Sequence, residues 1–223
     1  MGNMGRYVMV KENLKDKVYS GIYDDVTNGI YMQNDILTEG MLIEKYNVSK
    51  SPVREALIEL CKDGILKSIP RMGYQVTPVT LKEVLDILEF RVDIEVSGLR
   101  KIYYSVDGAD LDALEKLALR HIGESDQIVS KNWSRNYEFH TFLYSLNSNA
   151  CGCEILKQII KKSSRYISQY FQSAWQRESE SRGRYHAAVV EMLKKGDGEG
   201  ACRMLEKDIL AVKEEILSLH GRI

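Results

Sequence analysis

The chain has 223 residues, and its 31 Lys and Arg against 32 Asp and Glu leave a net charge of −1. That balance excludes a surface basic all over for gripping nucleic acid, and it excludes an acidic disordered chain. The hydrophobic share of 44% and charged share of 28% are ordinary for a soluble globular protein of one large or two smaller domains. No run approaches the roughly 18 apolar residues of a membrane helix. The polar start MGNMGRYVMVKENLKDK lacks a signal-peptide core. A cytoplasmic location without a membrane partner is expected, and the sequon spelled by Asn132, Trp133 and Ser134 then carries no meaning.

The four cysteines, Cys61, Cys151, Cys153 and Cys202, are too sparse for a zinc ribbon and read as reduced thiols. The three prolines, Pro52, Pro70 and Pro78, all lie in the first 78 residues. The rest of the chain has none, which suits a domain of helices. Two domains are expected, a turn-containing one over 1–78 and an all-helical one over 79–223.

Leu14, Val18, Ile22 and Val26 recur every fourth position and predict a helix over 14–28, closed by Asn28-Gly29. A second short helix is expected over Glu39–Tyr46, with Met41 and Leu42 inward. After a break at Asn47-Val48, the positions Val53, Ala56, Leu57, Leu60 and Cys61 follow the i, i+3, i+4, i+7, i+8 pattern of a third helix. Ser49 or Ser51 can cap it, Pro52 is tolerated in its first turn, and Gly64 closes it. Ile65-Leu66 and Tyr74–Val76 read as two short strands around Pro70–Gly73.

Helix, helix, turn, helix and hairpin form the layout of a winged helix-turn-helix. Residues 45–71 hold six basic and three acidic groups, whereas residues 1–44 hold four basic and seven acidic ones. Positive charge is therefore gathered in the part that enters a DNA groove. The segment LTEGMLIEKYNVSKSPVREALIELCKDGIL resembles the helix-turn-helix of the GntR family of bacterial transcription regulators. Leu37, Glu39, Leu42, Val48, Ser49, Pro52, Val53, Arg54, Glu55, Ala56, Leu57, Leu60, Asp63 and Gly64 fall on the family pattern in order. Lys50 stands where the family usually has Arg, which keeps the charge but loses bidentate reach to guanine. The wing reads Met72-Gly73-Tyr74 with Arg71 one position early. The turn before the second helix falls at Asn34-Asp35 instead of a Pro-Gly pair. The resemblance implies phosphate contacts from Ser49 and Ser51 and phosphate or base contacts from Lys50 and Arg54. It also places Arg71 at the minor groove or backbone. The expected partner is a pseudo-palindromic double-stranded operator bound by a homodimer.

Behind Pro78 the stripe Leu81, Val84, Leu85, Leu88, Val92, Val96, Leu99 and Tyr103 predicts a long helix over 80–104. A second helix is capped by Asp110, with Leu111, Leu114, Leu117 and Ala118 inward. Further helices are expected over Asn132–Asn147, Ile155–Phe171, Arg182–Lys195 and Gly200–Leu219. No strand-like alternation interrupts them, so the fold class is mainly α, a winged helix-turn-helix followed by a helical bundle. No catalytic fingerprint is present, and the chain is expected not to be an enzyme. Gly196–Gly200 lacks the ligand spacing of a calcium loop and reads as a connection between helices.

The four histidines are His121, His140, His186 and His220. A lone inward histidine most often only hydrogen-bonds in a core. Here the Phe139-His140, Leu143 and Asn149 run, His186, and the Lys195-Gly196-Asp197 and Ala201 run resemble the FCD (fatty-acid-regulator) effector domain of one GntR subfamily. That resemblance implies a divalent metal, Zn²⁺, Ni²⁺ or Mn²⁺, held inside the bundle by Asn136, His140, His186 and Asp208. Asn136 replaces the usual Asp, and Asp208 replaces the usual last His. It also implies a small carboxylate effector met by Arg91, which Glu95 orients from one turn away. Tyr137 and Tyr144 flank His140 and are candidate effector contacts, while Tyr166, Tyr170 and Tyr185 sit on facing helices. Two other readings stand beside this one: a metal-dependent enzyme, and a metal-free DNA-binding protein whose bundle only dimerises.

Overall fold

A computed structural model describes residues 13–123, 129–175 and 182–220, with side chains over 13–120, 134–167 and 183–218. The side chains of His121, Asn132, Trp133, Tyr170 and His220 lie outside the described residues. The chain forms two compact units. One holds the described residues up to Asp25 together with Gln33–Thr77, and the other holds Val26–Met32 together with everything described from Pro78 onward.

The first unit contains α1 (Leu14–Thr27) up to Asp25, then β1 (Ile36–Leu37), α2 (Glu39–Tyr46), α3 (Lys50–Lys62), β2 (Leu66–Ile69) and β3 (Gly73–Val76). Val18, Ile22, Leu42, Val53, Ala56, Leu57 and Leu60 turn the apolar stripes of the three helices inward and are fully buried. Asp25 of α1 takes Lys45 and Tyr46 of α2 at 2.7 and 2.8 Å, and Asp63 after α3 accepts from Tyr19 of α1 at 2.5 Å. Thr38 caps α2 through Met41 N.

The sheet has three strands in the order β1-β3-β2, all antiparallel, where the sequence pattern gave two. β1 is only Ile36–Leu37, too short to show alternation. It reaches β3 because Gly73, at φ 133°, has no Cβ to strike the Leu37 carbonyl. The expected turn at Asn34-Asp35 is present, with Asn34 left-handed and its N–H donating to Val76 O. β2 runs Leu66–Ile69 instead of Ile65-Leu66. Met41 is 38% exposed instead of inward, because Leu42 takes the buried position.

The second unit is helical: α4 (Leu81–Ile102), α5 (Gly108–Gly123), α6 (Val129–Ser145), α7 (Ala150–Trp175), α8 (Arg182–Lys194) and α9 (Gly198–His220). Thr80 and Glu83 close a reciprocal capping box at the head of α4. The cap of α5 is Asp107, whose side chain accepts from Asp110 N, so Asp110 lies inside the helix instead of capping it. The connection read at Gly196–Gly200 is a helix junction: Gly196 is left-handed and Asp197 accepts from Gly200 N. One core joins Val84, Leu88, Leu99, Leu114, Phe139, Leu143, Ile167, Val189, Leu205 and Ile209. A satellite cluster joins Tyr144, Leu156 and Ile160.

Candidate functional site

In the first unit, α3 presents its amino-terminal end to solvent. Ser49 occupies the cap position but makes no side-chain cap bond, and Ser51 is not a cap, since its hydroxyl donates to Glu55 at 2.8 Å. Arg54 Nε pairs with Glu39 at 2.7 Å, and Lys50 Nζ stands 3.4 Å from the other oxygen of the same carboxylate. Hydrogen bonds from Arg54 and then Lys50 hold the Glu39 carboxyl below its usual range. The apolar side of α3 is sealed in the core, so these polar residues face outward. Arg71 lies in the wing turn with φ 66° and is exposed. Lys50, Ser51, Arg54 and the cap of α3 thus share one helix end, while Arg71 stands apart on the hairpin. Exposed cations at a helix amino terminus, where backbone N–H groups also point outward, suit phosphate oxygens.

The second unit builds a different kind of site. α4 contributes Arg91 and Glu95, α6 Asn136 and His140, α8 His186, and α9 Asp208, all of them buried. His140 Nε2 lies 2.9 Å from Asp208 Oδ2 and 3.4 Å from His186 Nε2, and His186 Nε2 is 3.4 Å from the same Asp208 oxygen. These three ligand atoms fall within 4.8 Å of one another. The ring of Phe139 stacks on His186 at 4.0 Å, fixing the plane of that imidazole. Asn136 sits one helical turn before His140 on α6.

Glu95 is the residue that sequence spacing undervalued. It was legible only as the partner of Arg91, and that bond is present, with Arg91 Nε donating to Oε1 at 2.6 Å. Its second oxygen, Oε2, lies 2.6 Å from His140 Nδ1, a residue 45 positions away. Arg91 is 1% exposed, and its Nη2 has no hydrogen-bond partner among the described residues.

Burial alone lowers His140, but the Glu95 charge and hydrogen bonds to Asp208 and Glu95 outweigh burial and raise it. His186 is lowered, chiefly by burial. Burial favours the neutral acid at Asp208, yet the charge of His186 and hydrogen bonds from both imidazoles hold it well below the carboxylate range. Glu95 is likewise lowered against its burial, by the charges of Arg91 and His140. The cluster around His140 therefore sets the Glu95 and Asp208 carboxylates against the Arg91 guanidinium and a readily protonated imidazole, and Arg135 and Arg165 are buried in the same unit. Two imidazole nitrogens and a carboxylate oxygen converging in a buried position form a donor set that fits Zn²⁺, Ni²⁺ or Mn²⁺. The bond between Glu95 and His140 is the outer support such ligands carry.

The tyrosines divide. Tyr144 leans against Gly98 and Gly152, where a Cβ on either would collide with its ring, and its hydroxyl bonds Asn149. It belongs to the satellite cluster. Tyr137 is half-buried against the same cluster, Tyr166 belongs to the main core, and Tyr185 is half-buried on α8.

A winged helix with an outward basic helix end, followed by a helical unit with a buried polar centre, defines the class of DNA-binding transcription regulators. Residues 14–76 match the family model of bacterial regulatory proteins of the gntR family, and residues 86–210 match that of the FCD domain. The chain belongs to the GntR family, in its FCD group. It is 26% identical over 189 residues to an uncharacterized HTH-type transcriptional regulator, YdhC, of Bacillus subtilis, covering 82% of each chain. It is 21% identical over 210 residues to the HTH-type transcriptional repressor RspR of Escherichia coli, covering 93% of this chain and 90% of that one. The solved structure of E. coli McbR/YncC has the same fold at a TM-score of 0.73 and 19% identity, over 96% of this chain and 99% of that one. Among the described residues, no helix is long and apolar enough to cross a membrane.

Proposed function

We propose that this transcription regulator binds a pseudo-palindromic operator as a homodimer in the cytoplasm, and that a small carboxylate in the helical domain sets its DNA affinity. The DNA-binding domain is 1–78 and the ligand domain 79–223. Ser49 and Ser51 contact phosphates, Lys50 and Arg54 contact phosphate or base edges, and Arg71 contacts the flanking groove. The observation that carries the effector half is the convergence of His140, His186 and Asp208 in the same buried unit as Arg91, whose Nη2 lacks an acceptor among the described residues.

Asn136, His140, His186 and Asp208 are the residues that would hold the divalent ion. A bound ion would supply positive charge and an open position for a carboxylate oxygen. Arg91 Nη2 would take a carboxylate oxygen, and Tyr137 and Tyr144, which share the satellite cluster, are the candidate tyrosine contacts. A ligand that prefers one arrangement of α4, α6, α8 and α9 shifts the population of the whole domain, and operator affinity changes by linkage. An enzymatic reading needs a general base beside the ligands. Glu95, the carboxylate bonded to His140 Nδ1, has its other oxygen bonded to Arg91.

The test is to sequence the DNA fragments retained by the purified protein, then to titrate carboxylic acids with and without added Zn²⁺. Release or tightening by one class of acid supports the reading. Retention of random DNA, or indifference to every acid and metal, contradicts it.

A further inference from the structure

We infer that Glu95 is a positioning residue that couples the anion end of this centre, at Arg91, to its metal end, at His140. The inference rests on the metal reading above and adds to it a route by which the effector and the ion sense one another.

One carboxylate makes both bonds. Oε1 accepts from Arg91 Nε and Oε2 accepts from His140 Nδ1, each at 2.6 Å. All three residues are at most 3% exposed, so water does not stand in for either bond. The two oxygens belong to one rigid plane, and a displacement of one displaces the other. The bond at Nδ1 leaves His140 Nε2 directed at His186 and Asp208, which is the nitrogen a cation requires. Arg91 grips Glu95 through Nε, and its buried Nη2 has no acceptor among the described residues. An anion arriving at Nη2 shares the guanidinium charge that Glu95 otherwise receives in full. The carboxylate then pulls harder on His140 Nδ1–H, and the imidazole becomes a better donor at Nε2. Anion and metal favour each other, and by reciprocity each raises the affinity of the other.

The coupling is testable with Zn²⁺ alone, through a cycle of Arg91→Met, Glu95→Met and the double variant. None of these removes a metal ligand, and the double variant leaves no buried charge stranded. Zn²⁺ affinity is read by calorimetry, and the melting temperature of each metal-free variant is read in parallel. Glu95→Met is expected to weaken Zn²⁺ about 10- to 100-fold, the usual range for loss of an outer-shell partner. Arg91→Met removes the guanidinium charge that Glu95 otherwise receives, and is expected to tighten Zn²⁺ by a smaller factor, although Arg91 has no hydrogen bond to His140, His186 or Asp208 among the described residues. In the double variant that gain disappears, since Arg91 acts through Glu95. Glu95→Gln recovers part of the loss, because its amide oxygen still accepts from Nδ1–H. A merely structural role shifts melting temperatures but leaves Zn²⁺ affinity unchanged in variants that fold.

The inference is overturned if Arg91→Met binds Zn²⁺ as the unaltered protein does or more weakly, or if its gain persists in full without Glu95. Failure of the unaltered protein to take up Zn²⁺ would instead end the metal reading itself, and the coupling with it.

Discussion

The charges of α3 and those around His140 are arranged in opposite ways. Lys50 and Arg54 lie in water and share one carboxylate, Glu39, at 3.4 and 2.7 Å. Arg91, Glu95, His140, His186 and Asp208 lie in the interior, linked in a chain of contacts from 2.6 to 3.4 Å. Exposed pairs are screened and cost little to open, so Glu39 is replaceable by a DNA phosphate. Buried pairs are held by the cost of leaving either partner alone, so they fix geometry and respond only to something that enters among them. One unit keeps its charges available for exchange, and the other keeps them in place.

If that contrast is right, the largest effect comes from the buried side. Glu95→Met strands Arg91 in the interior and is expected to destabilise the helical unit by about 3–5 kcal/mol, read as a fall in the urea midpoint. Next comes the exposed side, in a different assay. Lys50→Ala with Arg54→Ala is expected to weaken operator binding by about a hundredfold or more. Its unfolding midpoint stays close to the original, and the salt dependence of binding becomes shallower. Operator binding that survives this double change would remove α3 from the interface.

A smaller effect tests the partly exposed Glu83, which Lys162 and the Thr80 cap hold at a pKa of about 2. A carboxyl lowered on folding contributes stability above its unfolded pKa, and that contribution is lost as pH falls from about 4.3 through 2. Glu83→Gln should therefore narrow the difference in stability between pH 5 and pH 2, measured by urea denaturation at both. The smallest effect is expected at the surface pair of Arg100 and Glu199, about half exposed on both sides. Arg100→Ala should leave the unfolding midpoint unchanged within measurement error. A large loss there would erase the distinction between exposed and buried charge.

The helices were legible because each carries a continuous apolar stripe, and Val53, Ala56, Leu57 and Leu60 are buried as their spacing requires. β1 was not, since two residues show no period and their pairing depends on Gly73, far along the chain. The apolar stripe of α5 begins at Leu111 and points to Asp110 as the cap, but the helix starts three residues sooner and the cap bond belongs to Asp107. Resemblance supplied His140, His186 and Asp208, and the structure brings their ligand atoms together. Glu95 could be read only as the neighbour of Arg91, because local spacing carries no trace of a contact made across 45 residues. Tyr144, one turn from His140 in sequence, packs against Gly98 and Gly152 on other helices, contacts that local spacing does not show either.

The most direct measurement is fluorescence anisotropy of a labelled operator fragment, titrated with a panel of carboxylic acids in the presence of Zn²⁺. The unaltered protein and His186→Ala are compared. At least one acid is expected to change the operator affinity of the unaltered protein several-fold, while His186→Ala binds the same DNA and no longer responds. An equal response in both proteins would contradict control of the recognition helix by the buried centre.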